Sequence, residues 1–596
     1  MVSFRLCKIQ HLPSLVLGLL FTACLFCGSC SSSEKGEEGC DVTAFVPDLQ
    51  GGRRTEVMVP MRDCTKLATD VYLPASEGPF PTILARLPYH KEWGFEDLPV
   101  MRLVSNIFAL NGYAAVMQDT RGRYASEGEF VPFKHEEADG IDTVQWIEAQ
   151  PWFDGNLGMC GASYFGFTQL AVAHRKPACL KTIVPLVTPG SVYSMLYYRG
   201  LPRADMAVNW ALDLYEEGSM DGEGFDRAAR HWPLDEGDDA TVGNVPWFDE
   251  WLEHPFDDAF YEGILPEDIY ERIDVPVLML SGWFDIFADT QLADFETVRA
   301  HEAFPGATRI IVGPWTHNMG YDESHDLPFC DARSIVDFVG PIIEWYDHFL
   351  KGEPFPCEWG PVRLYDPGTH AWTDRTELWP TDRRERTFFL TGDQGATTCT
   401  PTGELAEAPA VQASEINYTY DPLDPVVELG GALLDFDSGC LEQESRCGRA
   451  DVITFESAPF EEGFTIDGPI FAGLRVSSSA PDTAFVLRLA LIQEDGRAYH
   501  LRQGVLTLSH RNGDREQASY TPFETIDIRI DMTPLLWTIG SGERLRLDLA
   551  SSSYPSVVQH PNVSDEWFSV DSPQPALQTI HFDPDHPARL VLEVGD

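Results

Sequence analysis

The stretch Gly158-Met159-Cys160-Gly161-Ala162-Ser163-Tyr164-Phe165-Gly166-Phe167 has the residue types of a nucleophile turn. A serine at a sharp strand-to-helix elbow stands clear of its sheet, but the strained backbone tolerates only small neighbours. Gly161 and Gly166 supply that room, although the second glycine comes one residue later than in the common G-x-S-x-G spacing. Two further side chains complete the chemistry. Ser281-Gly282-Trp283-Phe284-Asp285 offers an acid and Gly313-Pro314-Trp315-Thr316-His317 a base, in the chain order Ser, acid, His. Such a set performs covalent acyl transfer: the histidine takes the serine proton, and the acid orients the imidazole. Cys160, beside the elbow, reads as a small buried apolar residue rather than a second nucleophile.

These side chains need a sheet whose strands end at one edge. Ala68 to Leu73, Pro81 to Leu87, Tyr113 to Gln118, Thr182 to Val187, Val275 to Leu280 and Arg309 to Val312 read as strands, and Glu137 to Ala149 and Ser334 to Leu350 as helices. Apolar runs alternating with helical stretches predict an α/β domain with a mostly parallel sheet. Asp285 and His317 then follow successive strand ends, where active-site loops of such sheets lie. Between about 190 and 272 the pattern changes: Ala207, Trp210, Ala211 and Leu214 recur at helical spacing, which predicts a helical insertion. Past about 357, short alternating runs between Gly, Pro, Asp and Ser clusters predict a β-sandwich of jelly-roll type. The expected layout is therefore an export segment and linker over 1–40, an α/β domain split into 41–189 and 273–356, a helical cap over 190–272, and a sandwich over 357–596.

With the elbow, a series of short strings in order resembles the cocaine-esterase-like (CocE/NonD) hydrolases, relatives of X-Pro dipeptidyl-peptidases and α-amino-acid ester hydrolases. The strings are Lys66-Leu67-Ala68-Thr69-Asp70-Val71-Tyr72-Leu73-Pro74, Leu87-Pro88-Tyr89-His90-Lys91, Gln118-Asp119-Thr120-Arg121-Gly122-Arg123 and Ser126-Glu127-Gly128. Beyond the histidine come Glu344-Trp345-Tyr346-Asp347-His348-Phe349-Leu350-Lys351-Gly352, Tyr420-Asp421-Pro422 and Ser477-Ser478-Ser479-Ala480-Pro481-Asp482-Thr483. The resemblance implies an α/β-hydrolase domain with an inserted helical cap and a C-terminal jelly roll. It also implies a catalytic set of Ser163, Asp285 and His317, with the Tyr89 hydroxyl and the Tyr164 backbone N–H as oxyanion donors.

In the α-amino-acid ester hydrolases an acidic pair soon after the catalytic aspartate holds a substrate ammonium. Here Asp285 is followed by Ile286, Phe287 and Ala288, and Asp289 is out of step. Phe287 resembles the aromatic position of the cocaine-esterase branch. With Trp283, Trp315 and the cap residues Tyr197 and Tyr198 it suggests an aromatic pocket for an acyl group without positive charge. The expected substrate is a small carboxylic ester or amide. An X-Pro dipeptidyl-peptidase or α-amino-acid ester hydrolase is the nearest alternative, and carbohydrate or polymer binding by the jelly roll is an alternative of another class.

The chain has 596 residues, a formal charge of −52, and 8 Lys beside 34 Arg. A basic face for nucleic acid is not expected. The acidity fits solvated surface or, given the scarcity of lysine, adaptation to high salt. Arg5 and Lys8 precede an apolar run from Leu12 to Cys27 that ends in Gly, Ser and Cys, the pattern of a secretory signal. Phe21-Thr22-Ala23-Cys24 resembles a lipobox, and Gly28-Ser29-Cys30 is a second candidate, so an exported protein is expected, either a lipid-anchored bacterial lipoprotein or a periplasmic or extracellular protein. No later apolar stretch reaches membrane length. Of 13 Cys, nine lie from Cys40 onward, and Cys440 with Cys447 is the expected loop disulfide. No Cys/His spacing suits zinc, so neither metal nor cofactor is expected. Oligomeric state is not legible.

Overall fold

A computed structural model describes residues 52–94, 99–215, 220–301, 306–319, 336–355, 360–392, 403–434, 437–443, 448–564 and 567–595. The export segment and Cys447 lie outside these residues. The chain first builds a ten-stranded sheet from β1 (Gly52–Pro60), β2 (Lys66–Pro74), β3 (Phe80–Leu87), β4 (Ala114–Asp119), β5 (Phe153–Ala162), β6 (Leu180–Leu186), β7 (Leu278–Phe284), β8 (Arg309–Thr316), β9 (Val362–Asp366) and β10 (Ala371–Arg375). The order across the sheet is β1-β2-β4-β3-β5-β6-β7-β8-β9-β10. From β4 to β9 every pairing is parallel, while β1, β2 and β10 run antiparallel at the edges.

The parallel strands are buried on both faces, which is why they read as continuous apolar runs. Their alternation still sorts the core into two layers. Ile83, Ala85, Ala115, Met117, Leu278, Leu280 and Ile311 face the helices Val100–Leu110 and Val336–Lys351. Leu84, Val116, Met279, Ile310 and Val312 face the helices Glu136–Glu148, Tyr164–Ala173 and Ala288–His301. Helix Val336–Lys351 runs through Pro341 and stops at Gly352, whose φ of 75° is the left-handed conformation favoured after a helix end.

The sheet extends past the expected boundary at 356. Strands β9 and β10 fall in the segment assigned to the sandwich, yet β9 pairs with β8 and β10 covers β9. Short alternating strands look alike in either sheet. Here they cap an edge that β8 would otherwise leave open.

The described residues between 192 and 272 include short helices, among them Val192–Leu196, Gly222–Ala229, Pro246–Leu252 and Ala259–Ile264. The segment Ala204–Trp210 is π-helical and continues as α-helix Ala211–Tyr215. Gly190 opens this insertion, and its N–H donates to Asp294 Oδ2 at 2.7 Å. Burial pushes the Asp294 carboxyl up to about 8, against the lowering effect of that hydrogen bond. The folded chain therefore holds this proton more tightly than the unfolded one, and stability falls as pH rises from about 4 towards 8. Asp294→Asn keeps an acceptor for Gly190 and removes the charge. It is expected to stabilise the protein by about 1–2 kcal/mol at pH 9 and to change little at pH 4. Thermal melts at both pH values check this, and equal shifts would contradict it.

Apart from the two-residue strands Tyr197–Tyr198 and Leu201–Pro202, which pair with each other in the insertion, the remaining strands among the described residues make an eleven-stranded sandwich. It is organised on the long strand Phe464–Ser478, which pairs with Ile526–Ile539 on one side and with Arg589–Val594 and Ala576–Phe582 on the other. The sandwich docks on both preceding parts. Thr538 Oγ1 donates to Asp366 Oδ2 at 2.6 Å, Leu434 N to Asp205 Oδ2 at 2.9 Å, and Tyr198 Oη to the Gln503 carbonyl at 3.2 Å. Cys440 is buried, and its expected pairing with Cys447 lies outside the described residues. No helix among the described residues is long and apolar enough to cross a membrane.

Candidate active site

Ser163 follows β5 directly and caps the helix Tyr164–Ala173 with φ 55° and ψ −124°, a strained conformation for a residue with a side chain. Its N–H donates to the Leu186 carbonyl at 2.9 Å, and its carbonyl accepts from Gly166 N at 2.8 Å and Phe167 N at 3.1 Å. The glycines are required by space. A Cβ on Gly161 would lie 2.4 Å from the Phe165 ring, and one on Gly166 would lie 1.9 Å from Thr188 Oγ1. The later glycine of the elbow thus makes room for Thr188, whose hydroxyl sits 2.8 Å from the Ser163 carbonyl.

Asp285 follows β7 and His317 follows β8, so adjacent parallel strands deliver both side chains to one edge. His317 Nδ1 lies 2.6 Å from Asp285 Oδ1, and the other carboxylate oxygen accepts from Phe287 N at 3.1 Å. Both side chains are buried. The Phe287 ring stands edge-on to His317 with centroids 5.4 Å apart, fixing the imidazole plane. Ser163 and His317 line one cavity of about 310 Å³.

Tyr89 lines the same cavity. Trp210 Nε1 donates to its hydroxyl oxygen at 2.9 Å. An indole N–H has no acceptor role, so the tyrosine oxygen accepts there and its own proton points elsewhere. The loop behind Tyr89 is tied down by Lys91 N donating to Asp119 Oδ1 at 2.5 Å. Burial pushes the Asp119 carboxyl up to about 6, and the neighbouring Lys91 opposes that rise. The Tyr164 side chain points away from the cavity: its hydroxyl donates to Glu136 Oε1 at 2.9 Å and accepts from Phe133 N at 2.8 Å. What Tyr164 can offer the site is its backbone N–H, one of the first N–H groups of a helix, which have no partner within the helix.

None of the five expected pocket aromatics lines the cavity. Strands β7 and β8 run four residues beyond the readings that ended at Leu280 and Val312, so Trp283 and Trp315 are strand residues pointing into core. Trp283 donates its indole N–H to the Tyr365 carbonyl at 2.6 Å, and Trp315 packs on Trp372 with centroids 6.0 Å apart. Tyr197 stacks on Tyr193, and Tyr198 reaches the sandwich. Phe287 touches the histidine without lining the cavity. The aromatic walls are instead Tyr89, Trp93, Phe108, Phe165 and Trp210. The sequence places Trp210 only at helical spacing with Ala207, Ala211 and Leu214; the π-turn over Ala204–Trp210 shifts the facing of the helix in a way that a 3.6-residue period does not register.

The chain is 32% identical over 579 residues to the cocaine esterase of Rhodococcus sp. (strain MB1 Bresler), a match that covers 91% of this chain and 98% of that one. The chain belongs to the cocaine-esterase family. Membership makes it a serine carboxylic ester hydrolase of the CocE/NonD type. The model of the X-Pro dipeptidyl-peptidase (S15 family) matches residues 63–319, and that of the X-Pro dipeptidyl-peptidase C-terminal non-catalytic domain matches residues 358–591. The fold is shared with a solved α-amino acid ester hydrolase at 22% identity and a TM-score of 0.78, over 94% of this chain and 100% of that one. It is shared too with an aminopeptidase from a marine sediment Thaumarchaeota archaeon, at 21% identity and a TM-score of 0.80, over 95% and 99% of the two chains. The α/β-hydrolase domain, helical cap and C-terminal sandwich of this chain are the family's architecture.

Proposed function

We propose that Ser163, His317 and Asp285 hydrolyse esters of neutral, apolar carboxylic acids. The observation that carries this reading is the 310 Å³ cavity opening on Ser163, whose walls are mostly aliphatic and aromatic. His317 takes the Ser163 proton as Oγ bonds the acyl carbon. The ester C–O bond then breaks, and the proton passes to the departing alcohol. Water, deprotonated by the same histidine, attacks the acyl-serine, releases the acid and restores the Ser163 hydroxyl. The Tyr89 hydroxyl and the Tyr164 N–H donate to the oxygen on which negative charge develops.

The Trp210 bond supports this role for Tyr89. Tyr89→Phe is expected to lower kcat by about 10²–10³-fold with KM nearly unchanged. Trp210→Phe, which keeps an aromatic side chain but loses the N–H together with the second ring of the indole, is expected to cost about tenfold. In the Tyr89→Phe background it should cost little more. Additive losses in that double-mutant cycle would separate Trp210 from Tyr89.

Asp213 is the single carboxylate among the described residues lining the cavity, and its Oδ1 accepts from Met220 N at 3.1 Å. It is the observation that favours the second reading, a substrate carrying a free ammonium. Aryl esters of neutral acids assayed beside X-Pro anilides and α-amino-acid esters decide between them: neutral esters should be preferred, and preference for the ammonium substrates would reverse the assignment. The positive flank, apolar run and Cys24 or Cys30 of the N-terminal segment support export with a lipid anchor.

A further inference from the structure

The residues that line the cavity with Ser163 come from two parts of the molecule, which define two arms. One arm lies under Trp210, Asp213 and the sandwich residue Leu434. The other enters the α/β domain itself, between helix Val100–Leu110, helix Val336–Lys351 and the sheet, where Val104, Ile107, Phe108, Met117, Cys160 and Ile342 wall it. Every described residue on this second arm is apolar or a thiol, whereas the first arm carries a carboxylate and an indole N–H. Ile107, Phe108, Met117 and Ile342 on this arm are buried, and Val104 is half-buried. The Cys160 thiol remains neutral, because burial pushes it up to about 12.

We infer that this second arm is an acyl-chain subsite, which makes the enzyme selective for esters of medium-length apolar acids, longer than butanoyl. The inference rests on the serine-hydrolase reading of Ser163. An arm with no charged or hydrogen-bonding side chain other than a buried thiol suits the apolar acyl group, whereas the carboxylate and indole N–H of the cap side suit an alcohol that must leave into water. The cap arm then takes the leaving alcohol. Met101, Met117 and Met319, with flexible unbranched side chains, let the walls adapt to chains of different lengths.

The test is a series of p-nitrophenyl esters from acetate to decanoate beside a series of alkyl acetates, with labelling of Ser163 by a fluorophosphonate. Each methylene entering the arm should raise kcat/KM by about fourfold until it is full, on the order of 10²-fold from acetate to hexanoate. Lengthening the alcohol of an acetate should change kcat/KM by less than about threefold. Val104→Trp, at a half-buried helix position that accepts a larger ring, should cut the hexanoate-to-acetate ratio by at least about tenfold. Phe108→Ala should move the optimum to longer acids. A flat acyl series on an enzyme that hydrolyses acetate and labels at Ser163 would overturn the subsite alone. So would a length dependence carried by the alcohol, or a ratio that neither variant moves. Failure to hydrolyse any ester or to label Ser163 would overturn the serine-hydrolase reading, and the subsite with it.

Discussion

Ser163→Ala is expected to lower kcat by about 10⁶-fold while the protein remains folded, as measured by p-nitrophenyl ester hydrolysis beside a thermal melt. The size of the effect follows from mechanism. Without Oγ no acyl-enzyme forms, and the donors at Tyr89 and Tyr164 are left to assist only direct attack by water. Folding should hardly notice, because Ser163 already holds φ 55° and alanine meets the same backbone strain. The contacts that fix the elbow belong to its backbone, through Leu186, Gly166 and Phe167. A variant retaining more than about a hundredth of the activity would assign the nucleophile elsewhere.

Asp285→Asn should cost about 10⁴-fold in kcat, through the proton on His317 rather than through position. In the native site Oδ1 faces His317 Nδ1 at 2.6 Å and Oδ2 accepts from Phe287 N at 3.1 Å. An asparagine has one oxygen, and the Phe287 N–H claims it. Its NH₂ group is then turned to Nδ1, which must become an acceptor, so the ring proton moves to Nε2, the nitrogen that should receive the serine proton. The variant should keep substrate binding and lose turnover. A loss of less than about tenfold in kcat would show that another group orients His317.

The placement of the three candidate catalytic residues was legible because it depends on chain order and on strand ends, which a sequence displays. Ser163 after β5, Asp285 after β7 and His317 after β8 need only the rhythm of buried runs and the small residues of the elbow. The pocket was less legible, since a side chain's destination depends on where a strand stops. Four more residues on β7 and β8 turn Trp283 and Trp315 from loop residues into core. The second arm was missed for a related reason. Helix Val100–Leu110 contributes Val104, Ile107 and Phe108 to it, but in sequence an apolar helix face against a cavity reads the same as one against solid core. That β9 and β10, past 356, join the first sheet was not legible, since they differ from sandwich strands only in their partners. The charge of −52 does not gather at the nucleophile: Asp213 is the single carboxylate among the described residues lining the cavity.

The central claim is that one serine carries the acyl group, and intact-mass and peptide-mass analysis after reaction with a fluorophosphonate tests it most directly. The account predicts a single adduct on the peptide containing Ser163, formed in step with the loss of esterase activity. An adduct on any other residue, or activity that survives full modification of Ser163, would contradict it.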